Sequence, residues 1–180
     1  MSRKTLFVAG LAVAGLFSGS ASPALSQDST RENARYCGIG YQGTVDGFRR
    51  ENPRLAALLG NVKFRTALNA KLLERSKTLG WPINLYGKDE SAGQGARLGL
   101  THVITYESVD SQAFVDPRDG QRRFNTAYSF GINTIIFDVN DKQVKALVPA
   151  IITYSEVLPT APDEATKARG FSTIFDAFGT

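Results

Sequence analysis

The stretch FNTAYSFGINTIIFDVNDKQVKALVPAIITYSEV, residues 124–157, decides the fold. Phe124 to Val139 and Gln143 to Val157 are dense in β-branched and aromatic residues, and Asn140-Asp141-Lys142 between them is turn chemistry. Two long strands joined by so short a connection must pair antiparallel. Gly131 marks where the first should bend. Pro149 has no amide hydrogen, which places the second at a sheet edge or at a bulge.

Working upstream, Asp116-Pro117-Arg118-Asp119-Gly120 is another turn, and Leu100 to Val109 ahead of it is β-rich. Alternation along that run places His102, Ile104 and Tyr106 on one face and Val103, Thr105 and Glu107 on the other. The three strands make a meander. Downstream, Pro159 to Pro162 ends the sheet and opens a helix with Asp163 and Glu164 in its first turn, where the helix dipole favours acids. Phe171, Ile174, Phe175 and Phe178 recur at helical spacing and form a docking stripe, although Gly170 beside them weakens the helix.

Towards the amino end, Asn52-Pro53 is a helix start, with Leu55, Leu58, Leu59 and Val62 at helical spacing and an interruption at Gly60-Asn61. Phe64, Ala67, Leu68 and Leu72 continue the stripe until Gly80 and Pro82 stop it. Short strands are expected at Tyr36 to Thr44 and Trp81 to Tyr86, and a helical turn at Ala96 to Leu98. The expected fold is a single α+β domain over residues 36–180. Its helices pack on a mainly antiparallel sheet with a three-strand meander and a C-terminal helix.

Residues 1–26 read as a secretory signal peptide. Arg3 and Lys4 form the charged start, Leu6 to Phe17 the apolar run, and Ala24-Leu25-Ser26 the small-x-small exit, with cleavage after Ser26. The apolar run is shorter than the ~20 residues that span a bilayer, so no membrane span is expected after cleavage. Residues 27–35 are polar and read as a flexible tail, and the expected location is periplasmic or extracellular. No Leu-x-x-Cys lipobox precedes Cys37. The whole chain carries 21 Lys+Arg against 17 Asp+Glu, and losing Arg3 and Lys4 lowers its net charge from +4 to +2. That balance excludes the basic footprint of a nucleic-acid partner. The single cysteine, Cys37, excludes an internal disulfide.

Catalytic motifs are sparse. Gly38-Ile39-Gly40-Tyr41-Gln42-Gly43 has the letters of a dinucleotide fingerprint but follows a polar segment, and reads as a Gly-punctuated strand or loop. Gly93-Gln94-Gly95 with Gly99 reads as a connector. The only histidine, His102, has no ligand-spaced neighbour, so neither metal nor cofactor is expected. Cys37 with His102 is the candidate nucleophile pair, and Glu107, Asp110, Asp116 and Asp119 are the candidate acid–base carboxylates. The strand aromatics exceed what one buried face can hold. Tyr106, Tyr128, Phe130 and Tyr154 are therefore the candidate partner-binding residues.

Ala96-Arg97-Leu98-Gly99-Leu100-Thr101-His102-Val103-Ile104-Thr105 resembles the helix-to-strand step of a group of bacterial envelope domains. Thr134-Ile135-Ile136-Phe137-Asp138-Val139-Asn140-Asp141-Lys142-Gln143-Val144 resembles their hairpin. The group includes the soluble domain of the curli secretion channel and the amino-terminal domain of the Tol–Pal translocation protein. The resemblance spans Cys37 to Val157 and implies a partner in the envelope. The expected function is an exported, non-catalytic envelope protein that binds another protein in assembly or secretion. A small enzyme using Cys37 and His102 or a carboxylate pair, and a carrier of a small apolar ligand, are the alternatives.

Overall fold

The structure, a computed structural model, describes residues 5–7, 31–91 and 95–177. The cleavage site after Ser26, Gly93-Gln94 and Phe178 lie outside the described residues. The strands are β1 (Thr5–Phe7), β2 (Glu32–Tyr41), β3 (Ile83–Tyr86), β4 (Leu98–Val115), β5 (Arg122–Asp138) and β6 (Val144–Leu158). The helices are α1 (Val45–Glu51), α2 (Pro53–Gly60), α3 (Val62–Thr78) and α4 (Glu164–Ala177). One mixed sheet runs in the order β1-β6-β5-β4-β2-β3. The β4-β5-β6 meander is antiparallel, while β2 runs parallel to both β3 and β4. The α+β domain is as expected, but its sheet is mixed: β1, β6, β5 and β4 pair antiparallel, and β2 pairs parallel with its two neighbours.

Several local expectations need correction. Glu32 to Arg35 are not a tail: they pair with Ile83 to Tyr86 on one side, and Ala34 and Arg35 pair with Leu98 and Gly99 on the other. Ala34, with no exposed surface, fixes that segment in the core. Ala96 to Leu98 form no helical turn, because Leu98 already begins β4 opposite Asp138. The Gly60-Asn61 interruption separates two helices, with Asn61 capping α3 by accepting from the Phe64 amide at 3.2 Å. An additional short helix, α1, starts behind Thr44, whose hydroxyl accepts from the Gly47 amide.

The helices share one face of the sheet. Ser76 of α3 meets His102 of β4, and the α4 ring of Phe175 packs against Phe64 of α3 at 5.5 Å and Phe130 of β5 at 4.9 Å. Leu100, Ile104, Tyr128, Phe130, Phe171 and Ile174 are buried in this layer. Gly170 has a structural reason: a Cβ there would lie 2.5 Å from the Tyr128 ring. The weak helix former is what lets α4 sit down on β5.

Candidate functional site

Two bulges decide what each face presents. In β4 the pairing with β5 shifts between Ile104 and Tyr106, so Ile104 faces Ile132 and Tyr106 faces Gly131. The extra residue inverts the alternation beyond it. His102 and Ile104 point at the helices, whereas Tyr106 turns to the opposite face, where a Cβ on Gly131 would meet its ring at 2.4 Å. Glu107 is turned inward by the same step. The expectation that His102, Ile104 and Tyr106 share a face is therefore corrected.

Glu107 uses its new position structurally. Its side chain is 3% exposed, and its carboxylate accepts from the Leu55 amide at 2.8 Å and from Arg54 Nη1 at 3.0 Å. These contacts cap α2, whose own N-cap residue Asn52 makes no side-chain cap bond. A carboxylate from another element thus satisfies the orphan donors of the helix. Arg54 also reaches Glu164 of α4 at 2.7 Å, which ties two helices to one strand. Neither residue's partnership is legible from spacing, since the pairs are 53 and 110 positions apart. The other carboxylate candidates serve elsewhere. Asp116 and Asp119 both engage Arg123 at the β4–β5 turn, and Asp110 lies exposed near Gln112. Glu107 and the turn acids do not form a pair.

Cys37 and His102 are on neighbouring strands in different surroundings. Cys37 is the residue that the β2–β4 register skips between Tyr36 and Gly38, and it is exposed with its thiol towards the Arg35 carbonyl. Partial desolvation of the sulfur against the strand raises its pKa above the ordinary thiol value, against smaller lowering effects from Arg35 and a backbone hydrogen bond. His102 is buried, with Nε2 3.1 Å from the Ser76 hydroxyl and Nδ1 2.9 Å from that of Thr134. Desolvation pushes its pKa down to about 4. Both ring nitrogens are occupied, and the thiol is pushed away from the thiolate that a nucleophile requires. Gly38 and Gly40 lie inside β2 rather than in a phosphate-binding turn. The bulge that Gly38 borders is held by Asn69 of α3, whose Oδ1 accepts from the Ile39 amide at 2.9 Å.

The aromatic candidates divide. Tyr128 and Phe130 have no exposed surface and Tyr154 is 4% exposed, all three on the helix-bearing side. Tyr128 stacks on Tyr154 at 5.9 Å and meets Phe171 of α4 edge-on, so these rings are core and unavailable to a partner. Tyr106, 38% exposed, is the one that lies on the open side. No described helix packs on that side. Register places Thr101, Ile135 and Leu147 in one row across it, Val103, Asn133 and Pro149 in the next, and Tyr106, Gly131 and Ile151 in the third. The next row, Ser108, Ser129 and Thr153, is all hydroxyl. The outer face thus splits at Tyr106 into a mostly apolar half, interrupted by Thr101 and Asn133, and a hydroxyl-bearing half. Leu147 and Ile151 are each 51% exposed.

Two cavities border the helices. One of about 250 Å³ includes Trp81, Ile83 and Tyr86 in its wall, and one of about 160 Å³ includes Tyr41, Phe48 and Leu59. Both fall below the ~300–1,000 Å³ of ordinary small-molecule sites. Among the described residues no group of three or more His, Cys, Asp or Glu could hold a metal ion. Nor is any described helix long and apolar enough to cross a membrane.

No protein family matches the chain, and no curated protein does. Among solved structures, it is similar to a putative neuraminyllactose-binding hemagglutinin homolog from Helicobacter pylori. The identity there is 8%, the coverage 83% of this chain and 78% of that one, and the TM-score 0.45. Two dodecamer structures of PelC from Paraburkholderia phytofirmans, one of them a single-residue variant, match at 12% and 13% identity with TM-scores of 0.30. They cover 86% and 89% of this chain and 92% of theirs. At these scores a function has to come from this chain's own residues.

Proposed function

We propose that this is an exported, non-catalytic module of the bacterial envelope that binds another protein through the outer face of its sheet. The observation that carries the reading is the apolar half of that face. Tyr106, Ile135, Leu147 and Ile151 lie together there on three paired strands, with no described helix over them. Exposed apolar side chains gathered on one sheet face mark an interaction site more often than an accident of folding. A rigid sheet also holds its side chains without the ordering cost that a loop would incur on binding. Export is supported by the charged, apolar and small-residue order of residues 1–26.

The reading is tested by placing a photo-cross-linking amino acid at Tyr106 or Ile135, and at the exposed Lys63 of α3 as control, in cells that express the protein. Adducts of one common mass from positions 106 and 135, absent from 63, are the expected result. Equal adducts from all three, or none from the outer face, would contradict it.

A further inference from the structure

The apolar half of the outer face ends at a strand edge, and that edge has a pattern of its own. Over residues 144–151 the strand β6 is exposed on both faces: Leu147 and Ile151 on the outer side, Val148 (43% exposed) and the small Ala146 and Ala150 on the helix side. The helix-bearing side is bare here because α4 packs further along, over Tyr154 and Tyr128. The edge itself accepts an antiparallel strand, since Thr5–Phe7 pairs with Thr153–Ser155 immediately beyond. Between Val144 and Ser155 the only charged side chain is Lys145, so nothing on the segment recognises a charged peptide.

What the segment does match is itself. Ala146-Leu147-Val148-Pro149-Ala150 is self-complementary about Val148. Set antiparallel against its own copy with the two-fold axis at Val148, it brings Val148 onto Val148 and Ala146 onto Ala150 on one face. Leu147 meets Pro149 on the other. Every pair is apolar and of fitting size, and no like charges oppose each other. Beyond the segment the β5–β6 register skips Lys145, which ends regular pairing and fixes the contact to this short run. Pro149 lacks one amide donor, so side-chain packing carries more of the contact than in an ordinary ladder.

We infer that two copies of this chain pair antiparallel along β6, centred on Val148, and join their sheets into one. This goes beyond the open-face reading: the pairing shares Leu147 with that face, but Tyr106 and Ile135, where the open face is tested, stay clear of the edge. In this register the partner copy's turn approaches Thr153–Ser155, where β1 sits in the full chain. A chain lacking residues 1–26 should therefore dimerise at least as tightly.

The test combines light scattering with cysteine pairing in a Cys37→Ser background, on the full chain and on the chain without residues 1–26. The expected results are a dimer mass, its loss with Val148→Lys in a chain that still unfolds cooperatively, and a disulfide-linked dimer on mild oxidation of Val148→Cys. Ala146→Cys and Ala150→Cys should link far more readily mixed together than alone. A monomer mass for both chains at every attainable concentration would overturn the inference, and would mark Pro149 and Lys145 as edge protection instead. Disulfide formation by Ile151→Cys as readily as by Val148→Cys would overturn it equally.

Discussion

Tyr106 and Tyr128 lie on adjacent strands of one sheet and end in opposite situations. Tyr128 is enclosed by Tyr154, Phe171 and the notch at Gly170, and its hydroxyl donates to Glu156 at 3.0 Å. Burial first, then Glu156, raises its pKa above the ordinary phenol value. Tyr106 lies across the bare backbone of Gly131 and faces outward. The residue type is the same. What separates the two is one extra residue in β4, which turns the strand over. The inner face is thereby committed to stability, and the outer face is left free for contact.

The largest effect should come from deleting inner-face rings. Phe175→Ala removes a side chain 2% exposed that packs on Phe64 and Phe130, and should cost about 3–5 kcal/mol in urea unfolding. An unchanged midpoint would show that α4 is not docked, and would erase the contrast between the faces.

Next comes a dependence on pH that His102 gives the inner face. His102 protonates near its ordinary 6.5 when unfolded but only at about 4 when folded, so the unfolded state binds the extra proton between those values. Stability should therefore fall as pH drops from 6.5 towards 4, by on the order of 3 kcal/mol, and stay level below that for this group. Asp138 adds to the loss at the acid end. Arg97, then the Asn140 and Asp141 amides, hold it below the usual carboxylate range, and that stability vanishes as it protonates. His102→Gln should flatten the slope between pH 6.5 and 4. A slope that survives the substitution would place its origin elsewhere.

A smaller effect sharpens the account of how α4 sits. Gly170→Ala should destabilise by about 1–3 kcal/mol despite its better helix propensity, because the added methyl meets the Tyr128 ring. Gly170→Ala combined with Tyr128→Leu should recover part of that loss. If Gly170→Ala alone stabilises the protein, the close approach is not real. Smallest of all should be Cys37→Ser, at about ±0.5 kcal/mol and with the partner adducts from position 106 intact, since the thiol is exposed. Loss of those adducts in a normally folded variant would favour a chemical role for Cys37.

Much of this architecture was legible locally. The turns at 116–120 and 140–142 carry their own signals, and the α4 stripe matches the buried Phe171, Ile174 and Phe175. Pro149 does fall on the stretch of β6 that borders only β5. The failures have a common cause in distant pairing. Glu32 to Arg35 look like a polar tail because their strand is made by β3 and β4, about 50 or more positions away. The bulges at Cys37 and beside Tyr106 have no local sequence mark, yet each inverts the alternation after it. The β4 bulge is why Glu107 caps a helix instead of facing water, while Tyr128, Phe130 and Tyr154, read as surface, are core because α4 lies over their face of β5 and β6.

The most direct measurement is a pair of urea denaturation curves, one for Tyr106→Ala and one for Tyr128→Ala. The two-faced sheet predicts a loss of about 3–5 kcal/mol for Tyr128→Ala and less than about 1 kcal/mol for Tyr106→Ala. Equal losses would contradict it.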